Sequence, residues 1–199
     1  MELTVGTDST WSLRVWICSQ LAQLDVEINV IDLTHSDFKS EILKHSVTGL
    51  VPSLNEGTFV IHDSLAIAEY FNECSDGELY PSSSSERALA RSLCSELHSG
   101  FLSLRSQCPF SIEKVTPLQE FNSDINSELM RVKKIFELAY LPFMFNSAGI
   151  VDAFYAILAF RLNVYGIKLQ GKAGEYQKSL LNWSSLKHAI NLAQSWKNA

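Results

Sequence analysis

The sequence predicts an α/β domain followed by an all-α domain, and three observations support this division. Residues 1–76 alternate between short apolar runs typical of strands and longer stretches typical of helices. Residues 77–85 contain a proline and four consecutive serines, which is the composition of a linker. In residues 86–199 apolar side chains recur every three to four positions, which is the period of a helix.

The first domain shows the alternating order of a thioredoxin-like fold. The predicted elements are a strand at Leu3–Val5, an amphipathic helix from about Ser12 to Leu24, a strand at Glu27–Asp32, a short helix at Ser36–His45, a hairpin of Pro52–Asn55 and Phe59–Ile61, and a helix at Ser64–Glu73. The first two strands are expected to be parallel, joined by a right-handed crossover.

The second domain reads as a helical bundle. Its predicted helices are at about Glu86–Gln107, Phe121–Leu138, Asp152–Tyr165, Tyr176–Leu181 and Leu186–Trp196. The third of these is apolar on almost every side, which predicts a helix buried in the middle of the bundle.

Composition narrows the class of function. The chain has 199 residues, of which 46% are hydrophobic, and a net charge of −6. This charge argues against nucleic acid as the main partner, because phosphate binding needs a basic face, but it allows a small anionic ligand in a local pocket. The four cysteines form no CxxC pair or Cys/His cluster, so neither a metal site nor a redox pair is expected.

The N-terminal residues and the hydropathy pattern predict a cytoplasmic protein. No basic segment followed by a long apolar run opens the chain, so no signal peptide is expected. No stretch approaches the roughly 20 apolar residues that would span a bilayer, and membrane partners are not expected.

The most informative motif is Val51-Pro52, which lies where the pattern otherwise reads as a strand. Proline lacks the N–H that a strand ladder needs, so Pro52 is expected at an edge or in a special turn, favoured as a cis bond. The backbone of Val51 is then left to pair with an extended molecule that is not part of the sheet.

A second motif, Asp63-Ser64, opens an apolar helix. A serine hydroxyl and the N–H groups of a helix start suit a carboxylate ligand, although the same pair also reads as an ordinary helix cap. Together, the two motifs describe a site for a small extended peptide with an acidic end.

This combination resembles the glutathione S-transferase family, whose pattern is a valine–cis-proline pair followed by Glu/Asp-Ser-x-Ala-Ile at a helix start. Further resemblance to bacterial members extends through most of the chain, at residues 9–16, 96–105 and 152–166. The resemblance implies a thioredoxin-like domain and a helical domain, glutathione as co-substrate without a metal, and a homodimer.

The resemblance also implies which hydroxyl activates glutathione. Ser9 lies at the family's activating position, with Thr10 beside it and Ser12 one turn further along the helix. A hydroxyl that donates to sulfur stabilises the thiolate, and the positive end of the helix dipole adds to this effect. Ser9 is the first candidate and Thr10 the second, while the alternative for Ser9 is a plain N-cap, a role compatible with catalysis.

The same resemblance assigns the peptide-binding residues. Val51 and Pro52 would clamp the cysteinyl part, Ser64 would bind the γ-glutamyl carboxylate, and Asp63 would face the γ-glutamyl ammonium group. Leu50 replaces a residue that is often Lys, Arg or Gln near the glycine end, which implies either weaker binding or the use of another cation there. Lys39 and His45 are the candidates for that cation.

The electrophile is expected beside the thiolate, in a cleft lined by residues of the first loop and of the first long helix of the second domain. The candidates are Trp11, His98, Phe101, Arg105 and Cys108. A cationic Arg105 would favour anionic substrates. The simpler alternatives are a hydrogen-bonded interhelical histidine for His98, a solvated or salt-bridged surface side chain for Arg105 and an inert buried thiol for Cys108.

The predicted function is a cytosolic glutathione S-transferase of detoxification type, which adds the activated thiol to a small electrophile. Two alternatives stay open at this point. One is glutathione-dependent cis–trans isomerisation, because the Ser9–Ser12 loop is similar to that of maleylacetoacetate isomerases, although Trp11 replaces their cysteine. The other is a non-catalytic binding or scaffold protein with the same fold.

Overall fold

The computed structural model describes residues 1–118 and 120–197, which divide into two units. The first unit comprises Met1–Leu79 together with the chain from His188, and the second comprises Tyr80–Lys187. The domain boundaries drawn from the sequence, with their linker at 77–85, stay predictions. Three residues of the predicted helical domain, Gln119, Asn198 and Ala199, lie outside the described residues.

The first unit is built around a four-stranded mixed sheet. Its elements up to residue 79 are β1 (Glu2–Gly6), α1 (Thr10–Leu21), β2 (Glu27–Ile31), α2 (Phe38–His45), β3 (Ser53–Glu56), β4 (Phe59–His62) and α3 (Ser64–Cys74). The strand order is β2-β1-β3-β4. β1 and β2 are parallel, and β3 is antiparallel to both β1 and β4. This topology confirms the predicted thioredoxin-like fold.

The central strands pair through apolar residues that face the core. Leu3 of β1 is in register with Leu54 of β3, and both side chains are fully buried. Gly57 turns the chain between β3 and β4 with a positive φ of 64°, a conformation that suits glycine in a short hairpin loop. The sequence signal for this hairpin is therefore confirmed.

Helix α1 is more buried than an amphipathic helix would be. Every residue from Ser12 to Ser19 is buried, and α1 packs against α3 and β1. His188, from the last helix, meets the ring of Trp16 edge-on with 5.0 Å between ring centroids. The prediction of an amphipathic helix that ends at Leu24 is therefore wrong: α1 ends at Leu21 and is buried, because several elements of the unit pack around it.

The second unit is helical. It contains α4 (Ser84–Ser99), α5 (Leu102–Gln107), α6 (Ser123–Phe136), α7 (Ile150–Val164), α8 (Gly171–Asn182) and the first residues of α9 (Ser184–Lys197). α7 packs against α4 and α8, and nearly all of its side chains are buried. The prediction of a buried central helix is confirmed.

The single long helix predicted at Glu86–Gln107 is wrong. α4 ends at Ser99, and Phe101 adopts a left-handed conformation with φ 56° before α5 begins. The carboxylate of Glu128 accepts hydrogen bonds from the N–H groups of Ser103 (3.0 Å) and Leu104 (2.7 Å), which caps the start of α5. Apolar residues recur at helical spacing on both sides of the break, and the sequence pattern therefore predicted one continuous helix.

Helix α8 begins at Gly171, five residues before the predicted start at Tyr176. Gly174 lies so close to the preceding loop that a Cβ there would be 2.3 Å from the carbonyl oxygen of Leu169. Gln177 holds the same loop, because its side chain bonds to both Leu169 N and Ile167 O at 2.9 Å. Gly171 and Gly174 have low helix propensity, so the sequence pattern predicted a start for α8 that is too late.

The start of α7 is held by one buried carboxylate. Asp152 accepts hydrogen bonds from Gly149 N at 3.0 Å, Met144 N at 2.9 Å and the hydroxyl of Tyr176 at 2.7 Å. Asp152 thus reaches back to the backbone N–H of the N-cap residue, as the third residue of a capping box does. Burial raises the pKa of this carboxyl from 3.8 to about 6, although the three hydrogen bonds oppose the shift.

Candidate functional site

The loop between β1 and α1 carries the hydroxyls considered as catalytic. Thr7 anchors this loop, because its hydroxyl accepts a hydrogen bond from Leu33 N at 2.9 Å. Asp8 has a positive φ of 60°, which is uncommon for a residue with a side chain. The chain turns there, and Ser9 follows as the N-cap of α1.

Ser9 combines a structural role with an available proton. Its backbone N–H donates to the Gly6 carbonyl at 3.2 Å, and its hydroxyl oxygen accepts from Ser12 N at 3.2 Å. A serine hydroxyl has one donor and two acceptor positions, so an N-capping Ser9 can still donate to a ligand. The donor would act at the positive end of α1, where negative charge is stabilised.

The two neighbouring hydroxyls differ from Ser9. Ser12 is fully buried, and its oxygen accepts a hydrogen bond from Gly6 N at 3.2 Å, which ties α1 to the end of β1. The Thr10 side chain is 7% exposed, and within the described parts of the chain its hydroxyl has no hydrogen-bond partner.

Val51 presents open main chain next to this loop. The Val51–Pro52 peptide bond is cis, as the sequence favoured. The pairing of β1 with β3 ends at Thr4 and Ser53, so Val51 lies beyond the ladder. Among residues 1–118 and 120–197, neither the N–H nor the C=O of Val51 has a backbone hydrogen-bond partner.

Gly6 connects Val51 with the first loop. A Cβ at Gly6 would come within 2.8 Å of Cγ2 of Val51 and 2.7 Å of Cδ1 of Leu33. Gly6 also accepts a hydrogen bond from Ser9 N and donates one to the hydroxyl oxygen of Ser12, as described above. The hydroxyl loop and the open backbone of Val51 are therefore neighbours across one glycine, which sequence reasoning missed, although a glycine directly after an apolar strand is the signal for it.

Asp63 and Ser64 form the start of α3. Asp63, with φ 78°, accepts hydrogen bonds through Oδ1 from Leu65 N at 2.8 Å and Ala66 N at 3.3 Å. Ser64 is 2% exposed, and its hydroxyl has no hydrogen-bond partner in the described structure. A buried hydroxyl without a partner costs free energy, and such groups in native proteins call for an explanation.

Two of the three residues considered for the glycine end of a peptide are exposed and one is half-buried. The side chain of Leu50 is 68% exposed, and Lys39 is exposed on α2. His45 is half-buried, and its Nδ1 lies 3.4 Å from a carboxylate oxygen of Glu2.

The five predicted electrophile residues fall in both units. Trp11 in the first unit is stacked by the guanidinium of Arg14 at 4.3 Å from the ring centroid. In the second unit, His98 is in the last turn of α4 and Phe101 is 6% exposed at the break before α5. Arg105 is half-buried in the last turn of α5, and Cys108 is fully buried just after it.

Two of the protein's own thiols have raised pKa values. All four cysteines, Cys18, Cys74, Cys94 and Cys108, are free. Burial raises the pKa of Cys18 well above its ordinary value, although the nearby Arg14 opposes the shift. Burial also raises the pKa of Cys108, with Arg161 opposing it. Raised pKa values keep these two thiols protonated and unreactive.

Two further searches of the described residues gave negative results. Within residues 1–118 and 120–197, no helix is both long enough and apolar enough to cross a membrane. In the same residues, no three His, Cys, Asp or Glu side chains gather in a way that would hold a metal ion.

Part of the chain matches one protein-family model, and the whole fold is similar to that of solved structures. Residues 8–74 match the family model described as glutathione S-transferase, N-terminal domain. No curated protein sequence matched the chain.

Among solved structures, one similar chain is a glutathione transferase homolog from Burkholderia GL BGR1 with bound glutathione, at 23% identity and TM-score 0.71, covering 98% of this chain and 97% of that one. A bacterial maleyl pyruvate isomerase of the zeta class is similar at 18% identity and TM-score 0.74, with 98% of both chains covered. Glutathione transferase Omega 3C from Trametes versicolor is 14% identical with TM-score 0.74, covering 94% and 87%. At these identities the likeness shows a shared fold.

Proposed function

Since the chain carries a glutathione S-transferase N-terminal domain at residues 8–74 within a glutathione transferase fold, we propose that it binds glutathione and transfers its thiolate to a small electrophile. The observation that carries the proposal is the buried hydroxyl of Ser64, which has no partner among the described residues and is the first residue of α3. A carboxylate placed there would satisfy the hydroxyl and meet the N-terminal N–H groups of α3.

Each part of the tripeptide has a matching group. The γ-glutamyl carboxylate binds at Ser64, and its ammonium group faces Asp63, since a carboxylate that caps a helix still has lone pairs for further donors. The cysteinyl residue pairs edge-on with the N–H and C=O of Val51, ahead of Pro52, as an added strand would. The glycine carboxylate lies towards Leu50, with Lys39 and His45 as the candidate cations.

Ser9 activates the thiol in this proposal. It donates its hydroxyl proton to the sulfur while its oxygen keeps the N-cap bond to Ser12 N. The hydrogen bond and the dipole of α1 both favour the thiolate, so the thiol loses its proton to solvent. The sulfur then forms a bond to an electrophilic carbon, and that carbon expels its leaving group, which is halide for an aryl halide. Thr10 is the second candidate, and Ser12 the third because its oxygen is already bonded to Gly6 N.

The proposed activity also suggests which residues contact the electrophile, and what the oligomeric state and cellular role of the protein are. Trp11, His98, Phe101, Arg105 and Cys108 are proposed as the residues that select the electrophile. We further propose a homodimer, a cytoplasmic location and a role in detoxification. Isomerisation would use the same thiolate, adding it and then expelling it.

Glutathione binding is tested first by thermal unfolding. Glutathione at 100 times its Kd stabilises a protein by about 2.7 kcal/mol, so the melting temperature should rise at millimolar glutathione. Ser64→Ala should lose this rise. Ser92→Ala, which removes an exposed serine bonded only to its own helix, should keep it. An unchanged melting temperature in the unaltered protein would refute glutathione binding.

Catalysis is tested separately by conjugation of an aryl halide. Ser9→Ala should bind glutathione but lose most turnover, because a hydrogen bond to a charged group is worth about 1.5–3 kcal/mol. Full turnover in Ser9→Ala would indicate that Thr10 activates the thiol instead, and the turnover of Thr10→Val would then test this. Binding without conjugation or maleyl isomerisation would refute the enzymatic reading in favour of a binding protein.

A further inference from the structure

A groove in the second unit lies between the loop that precedes α7 and one side of α8. Its volume is about 440 Å³, which is within the usual range of small-molecule sites in proteins. The loop contributes Phe143, α8 contributes Glu175, Lys178 and Ser179, and Trp183 closes the end of the groove directly after α8. None of these residues belongs to the sites proposed for glutathione and its electrophile.

The two walls of the groove are fixed by the same buried carboxylate. Asp152 accepts a hydrogen bond at 2.9 Å from the N–H of Met144, which directly follows Phe143 in the loop wall. It accepts another at 2.7 Å from the hydroxyl of Tyr176, which directly follows Glu175 in α8. The groove is therefore formed before any ligand enters, and binding does not have to order its walls.

Two aromatic rings form the apolar part of the groove. Phe143 and Trp183 meet edge-on, with 5.7 Å between the ring centroids. Both side chains are half-buried, so part of each ring stays accessible to a ligand. A third ring placed in the groove would extend this pair, because aromatic rings favour edge-to-face and offset contacts at such distances.

Two opposite charges line the same groove without neutralising each other. Glu175 and Lys178 are exposed and lie one turn apart on α8. Within residues 1–118 and 120–197, neither side chain forms an ion pair. Glu41 and Lys44 have the same spacing on α2 and do pair, at 2.7 Å. The spacing therefore permits a pair, and both charges of α8 remain available to a ligand.

We propose that this groove binds a free aromatic amino acid. The carboxylate of the ligand binds the ammonium group of Lys178 and the hydroxyl of Ser179, and its ammonium group binds Glu175. Its ring packs against Phe143 and Trp183. An aromatic molecule with a single charge fits less well, because one of the two α8 charges would repel it. A zwitterion compensates both, and the site does not rest on the proposed glutathione chemistry.

Calorimetric titration of the full-length protein with L-phenylalanine tests the site, at constant ionic strength. We expect saturable binding. The two analogues that each keep one charge, 3-phenylpropionate and 2-phenylethylamine, should bind about fivefold more weakly or worse, since each loses one solvent-exposed ion pair. A repeat in saturating glutathione should give the same affinity for L-phenylalanine, because the two sites share no residue.

Variants of α8 test the assigned charges. Lys178→Met and Glu175→Gln should each weaken L-phenylalanine binding about fivefold. Lys178→Met should also bind 2-phenylethylamine at least as well as the unaltered protein does, because the repelling charge is gone. Lys172→Met is the matched control, since it removes an exposed lysine of the same helix that does not line the groove, and it should leave the affinity unchanged.

Four outcomes would overturn the proposal. These are no saturation by L-phenylalanine, binding of 3-phenylpropionate as tight as that of L-phenylalanine, equal affinities in Lys178→Met and Lys172→Met, and displacement of L-phenylalanine by glutathione. The last outcome would place the amino acid in the glutathione site instead. Equal melting temperatures of the variants and the unaltered protein, expected because the substituted side chains are exposed, show that a loss of binding is not a loss of folding.

Discussion

Nζ of Lys197 lies 3.0 Å from Oδ2 of Asp8, which ties the end of α9 to the loop that precedes Ser9. The two residues are 189 positions apart in sequence, and both side chains are partly buried, at 26% and 34% exposure. Asp8 is also the residue with the positive φ in this loop. The C-terminal helix therefore helps to hold the loop that carries the proposed catalytic hydroxyl.

Lys197→Met should lower the melting temperature by about 2–4 °C, which corresponds to about 1 kcal/mol in a chain of this size. The loss should shrink at high salt, because the ions screen the pair. Lys133→Met is the control, since its pair with Glu137 is exposed and longer, at 3.8 Å. A loss in Lys133→Met equal to that in Lys197→Met would contradict a special role for the Asp8 pair.

Gly6→Ala should weaken glutathione binding in an otherwise folded protein. The added methyl group would meet Val51 Cγ2 and Leu33 Cδ1 at under 3 Å, so both side chains must shift, and overpacking of this kind costs about 1–3 kcal/mol. Calorimetry with glutathione measures the change. Gly57→Ala is the control, because it is strained by its positive φ but has no neighbour within 4 Å. It should lose stability while its glutathione affinity stays unchanged.

Asp152 should make the protein less stable as the pH rises through about 6. Its folded pKa is about 6 and the ordinary value is 3.8, so between these values the folded state holds a proton that the unfolded state releases. The contribution is therefore complete below 3.8 and is lost as the pH rises through 6. From pH 5 to pH 7.5 this loss is about 1 kcal/mol.

Asp152→Asn removes this titration. The variant should be less stable at every pH, because an amide cannot accept all three hydrogen bonds. Its urea-unfolding free energy should nevertheless fall less between pH 5 and pH 7.5 than that of the unaltered protein. Parallel pH profiles for the two proteins would show that Asp152 does not titrate in this range.

Gly174→Ala should be strongly destabilising, by about 3 kcal/mol or more, because the new methyl group would lie 2.3 Å from a backbone oxygen that cannot rotate away. Gly171→Ala, which has a positive φ but no neighbour within 4 Å, should cost only about 1 kcal/mol. Thermal unfolding compares the two variants. A similar loss in both would mean that the loop at Leu169 moves to accommodate the methyl group.

Local patterns predicted most elements and the position of the proposed site. The hairpin, the buried helix α7 and the break in pairing at Pro52 follow from features that act over a few residues: a turn glycine, an apolar surface and a missing N–H. The break between α4 and α5 could not be read in this way. It depends on Glu128, 24 residues further along the chain, whose carboxylate caps α5.

The sequence by itself determined the order of most strands and helices and the residue types of the proposed glutathione site, because backbone propensity and apolar period are local properties. Only the tertiary structure decided that Ser64 is buried without a partner, that Gly6 separates Val51 from the first loop, and that Lys197 reaches Asp8. Burial and long-range pairing depend on which distant segments meet, and no local pattern encodes that meeting.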